Sequence, residues 1–156
     1  MPKKDGNFRM IHNLPHPMHN SVNDFIDSEF CSVRYANIDD AVKLVKRIGR
    51  NGKLAKADVK SAFRLLRVSS GDYDQLGFCF ENKYYFDKCL PFGASISCAL
   101  FEKFPTALHW CTENRSGNCD IIHYLDDFLF GRGEADTFRN SYHFSRYLYF
   151  VGSPFD

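Results

Sequence analysis

The sequence lacks the features that mark membrane, secreted and zinc-binding proteins. It has no run of about 18 apolar residues, as a membrane-spanning helix would need, and no apolar stretch follows the charged start Met1-Pro2-Lys3-Lys4. Its six cysteines form no Cys-x-x-Cys pair, which leaves a zinc module or a redox motif unsupported. We therefore expect a soluble, intracellular protein with reduced thiols and no membrane partner. Whether it is cytoplasmic or nuclear stays open.

The chain also lacks a charge excess of one sign. Its 20 Lys and Arg residues nearly balance 19 Asp and Glu residues, giving a formal net charge of +1. Overall charge therefore cannot bring the chain to nucleic acid, although local basic patches can. No repeat, low-complexity tract or linker interrupts its 156 residues, which suffice for one core. We predict a single domain over residues 1–156, with most of its many aromatic residues in the core.

Hydrophobic periodicity predicts helices mixed with short strands, an α+β fold. The clearest helix begins at Ile38 after Asn37 and ends before Gly49. One apolar stripe of this helix is expected to cover the core: Ile38, Ala41, Val42, Val45 and Ile48. A strand is predicted over residues 53–57, with hairpins over 76–90 and 121–130.

Proline and glycine predict where regular structure is interrupted. A second helix is expected to open at Ser95 or Ser97 and to kink or break near Lys103, because Pro105 removes a backbone hydrogen bond at a cost of roughly 3 kcal/mol. Residues 114–118 are predicted as a loop and 135–150 as a last helix. Near the N-terminus, Asp5-Gly6 predicts a turn followed by a strand reaching residue 13.

Two adjacent carboxylates, Asp126 and Asp127, interrupt the apolar run of the last hairpin. Like charges repel, and an unpartnered carboxylate is costly to bury. Two interpretations are open: a solvated turn, since Asp is common in turns, or a site for a divalent cation. Asp58 favours the cation site because it also ends an apolar strand. If the two strands are neighbours in one sheet, three carboxylates meet.

Three such carboxylates would suffice for phosphoryl transfer by two metal ions. The ions, Mg²⁺ or alternatively Mn²⁺, would be bridged by Asp58, Asp126 and Asp127. One ion would activate a hydroxyl nucleophile, and the other would stabilise the leaving oxygen. Basic residues of the N-terminal hairpin could then hold a triphosphate: Lys3, Lys4 and Arg9.

Four segments resemble, in order and spacing, motifs of the reverse transcriptases. They are Lys4-Asp5-Gly6-Asn7-Phe8-Arg9-Met10-Ile11-His12-Asn13-Leu14, Lys56-Ala57-Asp58-Val59-Lys60-Ser61-Ala62-Phe63, Leu90-Pro91-Phe92-Gly93-Ala94-Ser95 and Tyr124-Leu125-Asp126-Asp127. Together they span nearly the whole chain, and four ordered motifs are far more specific than one. The stretch from Ile11 to Pro17, with Ser21-Val22-Asn23-Asp24 and the form Leu-Pro-Phe-Gly, is most similar to retrotransposons of the tyrosine-recombinase (DIRS-like) group.

The resemblance implies an RNA-directed DNA polymerase. Its fold would be a palm, an antiparallel sheet backed by helices, with part of the fingers. In this family the aspartates matching Asp58 and Asp126 bind the metals, and Asp127 completes the acidic cluster. Residues that would contact the incoming nucleotide are Lys3 or Lys4, Arg9, Phe63, Phe92 and Gly93. Phe63 would lie under the sugar and exclude a 2′-hydroxyl, while Phe92 stands where many retroviral enzymes carry Gln.

The resemblance also implies substrates and further domains. The substrates would be dNTPs and an RNA or DNA template with its primer. Complete enzymes continue into a thumb and usually an RNase H domain, as parts of a retroelement polyprotein. We therefore expect a fingers and palm fragment in which the thumb is absent, with weak and salt-dependent strand binding.

Two alternatives to this function come from the same residues. RNA-dependent RNA polymerases share the palm but typically carry a second Asp five residues after the first, where this chain has Phe63. The other alternative is a catalytically inactive retroelement remnant or a nucleic-acid-binding fragment. The ribonucleoprotein signature of common RNA-binding sheets is absent, which disfavours a binding module of that kind.

Overall fold

The computed structural model describes Gly6 and residues 10–116 and 120–133. The described residues form two compact units, the first within Met1–Val33 and Ser61–Phe101 and the second within Arg34–Lys60 and Glu102–Asp156. Both contain helical turns and antiparallel strands, so the predicted α+β class is confirmed. Within the described ranges, no helix has both the length and the apolar character needed to cross a bilayer.

Regular structure in the described residues consists of two α-helices, five strands and four short 3-10 helices. The α-helices are α1, Ile38–Ile48, and α2, Ser97–Ser116. The strands are β1, Lys53–Asp58; β2, Gly77–Phe80; β3, Lys83–Phe86; β4, Asp120–Tyr124; and β5, Asp127–Arg132. The 3-10 helices are Val22–Phe25, Ser28–Cys31, Ala62–Leu65 and Ser70–Leu76.

The second unit is built on a three-stranded antiparallel sheet in the order β1-β5-β4. Its central strand, β5, pairs with β1 on one side and with β4 on the other. Helix α1 contacts β4 and β5, and Gly131 allows it to lie close, since a Cβ there would come within 2.6 Å of Leu44. Leu44, Ile121 and Phe128 are buried in this unit.

Helix α1 has the predicted bounds but not the predicted buried face. Asn37 caps it, accepting hydrogen bonds from two backbone N–H groups of the first turn, and Gly49 follows its end with a positive φ. Of the predicted stripe, Ile38 is 77% exposed and Val42 and Val45 are each 43% exposed, whereas Leu44 is 2% exposed. The prediction was therefore wrong for Ile38, Val42 and Val45. Ala41 and Ile48 of the stripe are half-buried, and Ile48 approaches Gly131 together with Leu44, which lies outside the stripe.

Helix α2 runs without a break through Pro105 to Ser116. Of the predicted kink or break near Lys103, the break is therefore wrong, and so is the predicted loop at residues 114–116, while the kink stays a prediction. Pro105 is almost fully buried, and the packing of its ring offsets the hydrogen bond that its missing N–H cannot donate. The helix opens at Ser97, whose hydroxyl donates to the Pro91 carbonyl at 2.6 Å.

A chain of polar side chains joins α2 to β4 inside the second unit. His123 Nε2 lies 2.9 Å from Glu102 Oε1, and His123 Nδ1 lies 2.7 Å from His109 Nδ1. His109 Nε2 in turn lies 3.2 Å from Glu113 Oε1. Burial lowers the pKa of both histidines and raises the pKa of Glu102. Burial thus makes the charged forms of these groups less favourable in the fold than in water.

The first unit contains the β2–β3 hairpin and an apolar core. The two strands pair antiparallel, as predicted, although β3 ends at Phe86 rather than near residue 90. Residues 10–13 form no strand. Apart from Gly6, the rest of the predicted N-terminal hairpin lies outside the described residues, as does the predicted helix over 135–150. The buried apolar side chains of this unit are Leu14, Phe63, Leu76, Leu90 and Phe101.

Candidate active site

Strand pairing brings the three predicted aspartates to one end of the sheet. The register of β1 with β5 places Asp58 directly opposite Asp127. Just beyond this pair, the Val59 N–H donates to the Asp126 carbonyl at 2.8 Å, which extends the pairing into the turn. The condition on which the predicted cation site depended, that the strands of Asp58 and Asp126 be neighbours in one sheet, is thus met. The carboxylates come from segments far apart in sequence, as a site built by the fold requires.

The turn that carries Asp126 is tight and strained. Tyr124 pairs with Asp127, so only Leu125 and Asp126 connect β4 to β5. Leu125 adopts a φ of +52°, a conformation that costs a non-glycine residue roughly 1–2 kcal/mol. Such strain persists where the surrounding structure determines it, and it concentrates at functional sites. Here the flanking strand pairs hold it.

The charges at this end of the sheet are not balanced. Partial burial of its carboxylate, and then the charges of Asp126 and Asp127, raise the pKa of Asp58, although the residue as a whole is exposed. Lys56 Nζ lies 2.8 Å from Asp127 Oδ1, and this hydrogen bond raises the pKa of Lys56. In the described part of the chain, the ammonium group of Lys56 thus interacts with three carboxylates, and this excess of negative charge suits a divalent cation.

The donor set fits a divalent metal, although the side chains are not arranged around one. In the described part of the chain, no group of three or more His, Cys, Asp or Glu side chains has the geometry to hold an ion. Asp127 is engaged by Lys56, so binding at all three carboxylates would require this ion pair to open. Carboxylate oxygens are the ligands that Mg²⁺ and Mn²⁺ prefer, and binding of such an ion by these residues stays a prediction.

Lys56 was not identified from the sequence as a site residue. A signal was present, because side chains two positions apart on a strand point to the same face. Lys56 therefore shares a face of β1 with Asp58, and its partner Asp127 lies opposite Asp58. A basic residue at this position can neutralise part of the acidic cluster.

A groove of about 410 Å³ lies beside this ion pair in the second unit. Most of its lining is apolar, from the start of α1 and from β4 and β5, including Ala41, Ile122 and Leu129. Among the described residues, Lys56 is the only Lys or Arg that lines it, and the burial-lowered pKa of His123, which also lines it, disfavours a second positive charge. The groove therefore offers little to a triphosphate, and the candidate site is the acidic end of the sheet.

Phe63, Phe92 and Gly93, which are predicted to contact a nucleotide, all lie in the first unit. Phe63 is 7% exposed and stacks on Phe92, with ring centroids 4.8 Å apart and planes at 29°. Phe63 also meets Phe101 edge-on at 5.0 Å. The ring of Phe63 is thus held on two sides by other rings. Whether it contacts a sugar stays a prediction.

Gly93 sits where its backbone excludes any side chain. Its φ is +119°, which L residues rarely adopt, and a Cβ built there would clash with the His12 carbonyl oxygen. The same loop is held by the His12 N–H, which donates to the Phe92 carbonyl at 2.9 Å, and by Asn23 Nδ2, which donates to the Gly93 carbonyl at 3.0 Å. The space beside Gly93 is thus taken by the His12 backbone, and contact of Gly93 with a nucleotide stays a prediction.

The basic residues predicted to bind a triphosphate, Lys3, Lys4 and Arg9, lie outside the described residues. Their role stays a prediction from the sequence.

Comparison with known proteins adds a family and a shared fold. Residues 1–143 match the family model described as reverse transcriptase (RNA-dependent DNA polymerase). No curated protein sequence matches significantly. Among solved structures, the foamy viral protease-reverse transcriptase, determined in complex with double-stranded DNA, aligns with a TM-score of 0.62 and 21% identity, covering 97% of this chain. The chain spans only 23% of that protein's length, and the likeness shows a shared fold.

Proposed function

Because the chain belongs to the reverse transcriptase (RNA-dependent DNA polymerase) family, we propose that it carries the palm and part of the fingers of an RNA-directed DNA polymerase. The reaction would transfer a nucleotidyl group from a dNTP to the 3′-hydroxyl of a primer paired with an RNA or DNA template. The observation that carries this proposal is the register that places Asp58 opposite Asp127 beside the turn of Asp126.

Asp58, Asp126 and Asp127 would hold two divalent ions, Mg²⁺ or alternatively Mn²⁺. When bound, such ions activate the attacking hydroxyl and stabilise the charge on the leaving oxygen. The contribution of the chain is to supply three carboxylates from a rigid sheet end and turn. Partial burial, and then the charges of Asp126 and Asp127, raise the pKa of Asp58, and a cation bound beside these carboxylates would offset both effects.

Phe63, Phe92 and Gly93 would line the nucleotide pocket, with Phe63 selecting 2′-deoxyribose. The support is the burial of Phe63 between two other rings. This packing would prevent the Phe63 ring from moving aside to make room for a 2′-hydroxyl. Lys3 or Lys4 and Arg9 would hold the triphosphate, as the family resemblance implies.

The proposal extends to the context of the chain. We propose one domain over residues 1–156, from a retroelement polyprotein that also supplies a thumb and an RNase H domain. Within the family, the DIRS-like group is proposed on the sequence alone, from the Ile11–Pro17 and Leu90–Gly93 segments.

Primer extension tests the proposed function. The assay uses an RNA template, a DNA primer, dNTPs and Mg²⁺, with the 156-residue chain and with the longest natural polypeptide that contains it. Extension is expected, and Asp126→Asn is expected to reduce its rate by at least about 100-fold. Asp39→Asn, on the exposed side of α1, is the matched control and should extend normally. No extension by either wild-type protein would leave the inactive remnant as the better account.

A further inference from the structure

The first unit contains a buried carboxylate that the proposed reaction does not use. The side chain of Asp87 is only 3% exposed and accepts hydrogen bonds from three separate segments. Arg64 Nη1 lies 2.6 Å from both of its oxygens, and the Cys89 backbone N–H donates to it at 3.1 Å. His12 Nε2 lies 3.2 Å from Oδ2 and, facing a carboxylate that can only accept, is the donor.

Asp87 remains charged in this setting. Burial alone would raise its pKa, but the hydrogen bonds from Arg64 and Cys89 and the charge of Arg64 outweigh burial and leave the pKa below its usual value. A buried ion pair seldom stabilises a fold more than well-packed apolar residues would. Its better attested use is to specify one arrangement of the segments it joins.

The segments that Asp87 joins are those that carry the nucleotide-pocket residues. Arg64 directly follows Phe63 in the helix Ala62–Leu65. Cys89 directly precedes Leu90-Pro91-Phe92-Gly93. The backbone of His12 bonds the Phe92 carbonyl, and its carbonyl oxygen occupies the space that a side chain at Gly93 would need.

We propose that Asp87 is a positioning residue of the nucleotide pocket, which holds Phe63 against Phe92 and thereby sets the preference for 2′-deoxynucleoside triphosphates. This inference rests on the proposed function. Asp87 is too buried to touch a substrate, so it acts through Arg64 and His12. A displacement of about 1 Å in a group that orients a substrate can cost about 100-fold in rate, so small shifts of the paired rings would be measurable.

The test compares single-nucleotide incorporation by wild type, Asp87→Asn and the exposed control Asp74→Asn. Asp87→Asn keeps the shape of the side chain but removes the charge. We expect the KM for dNTP to rise about 10-fold with kcat within about 3-fold, and the preference for dNTP over rNTP to fall about 10-fold. The Asp74→Asn values should equal those of wild type.

Hydrogen exchange supplies a readout that needs no catalysis. The His12 amide, bonded to the Phe92 carbonyl, should exchange faster in Asp87→Asn, while exchange of amides in α1 stays unchanged. If Asp87→Asn does not fold, Arg64→Lys replaces it in the test, because Arg64 is only half-buried. The same three quantities are then measured: the KM for dNTP, the preference for dNTP over rNTP, and the exchange rate of the His12 amide.

Two results overturn the inference. One is an Asp87→Asn variant with wild-type KM and sugar preference. The other is a variant in which only the active fraction and kcat fall, since this would assign Asp87 a merely structural role. Neither result would count against the proposed function. That proposal fails only if the wild-type protein does not extend a primer.

Discussion

Replacing Gly93 by Ala tests the geometry of the loop most sharply. At a φ of +119° the added Cβ would clash with the His12 carbonyl oxygen, which is backbone and cannot rotate away. We expect the loop to keep part of the strain and also to move far enough to give up the hydrogen bond from the His12 N–H to the Phe92 carbonyl. Both responses lower stability.

The expected loss can be worked out from these two contributions. A non-glycine residue in a sparsely populated backbone region costs about 1–3 kcal/mol. Loss of the backbone hydrogen bond adds about 0.5–1.5 kcal/mol. We expect a total of about 3 kcal/mol, which for a chain of this size lowers the melting temperature by about 6–12 °C.

Thermal and urea unfolding of Gly93→Ala measure this loss directly. Gly71→Ala is the matched control, because no atom lies within 3.7 Å of a Cβ there and its φ is ordinary. The control should be neutral or stabilised by up to about 1 kcal/mol. A Gly93→Ala variant within about 0.5 kcal/mol of wild type would refute the reasoning, because the loop would then tolerate a side chain.

Three further predictions concern the second unit. Phe128→Ala should lower the free energy of unfolding by about 3–5 kcal/mol, since this 1% exposed ring fills the centre of the unit. His109→Gln should flatten the pH dependence of stability below about pH 6.5, because burial lowers the pKa of His109 and His123 and acid must charge them. Lys56→Gln should tighten Mn²⁺ binding in a titration, because Lys56 pairs with Asp127.

Each of these predictions has a control and a contradicting outcome. Tyr84→Ala, at an 89% exposed position, should leave stability nearly unchanged, and an equal loss at Phe128 and Tyr84 would contradict the assigned core. His19→Asn, on the surface, should retain the wild-type pH profile. The histidine assignment fails if His109→Gln loses stability as steeply as wild type when the pH falls from 7 to 5. Lys46→Gln is the control for Lys56→Gln, and equal metal affinity in both would contradict competition by Lys56.

The direction of the pH prediction follows from the sign of the shifts. A histidine whose pKa is lowered on folding contributes stability above its unfolded pKa of about 6.5, and this is lost as the pH falls through the folded value. The raised pKa of Glu102 acts in the opposite direction over the acidic range. Comparing wild type with His109→Gln separates the two, because Glu102 is present in both proteins.

Local features of the fold could be predicted from the sequence. Caps, turns and periodicity located α1, β1 and the β4–β5 hairpin, because these signals act between residues close in the chain. The buried face of α1 could not be predicted, because it depends on Gly131, far along the chain. Pro105 likewise gave a local signal for a break that packing around its ring overrides.

For the site, the sequence located residues near one another in the chain but not distant contacts. The three aspartates stand out because charge at a strand end or in an apolar hairpin is unusual, and the β1–β5 register places them at one end of the sheet. Their role as metal ligands stays a prediction. Asp87 gave no such signal, since its partners Arg64 and His12 are 23 and 75 positions away. Only the folded chain shows that it is buried and paired.

The central claim is that the aspartates at the end of β1 and β5 hold divalent ions. Titration with Mn²⁺, followed by the electron paramagnetic resonance signal of the free ion, tests it without requiring synthesis. Wild type is predicted to bind two Mn²⁺ ions that Mg²⁺ displaces, and Asp58→Asn and Asp126→Asn are predicted to lose this binding. Equal Mn²⁺ binding by wild type and by both variants would contradict the claim.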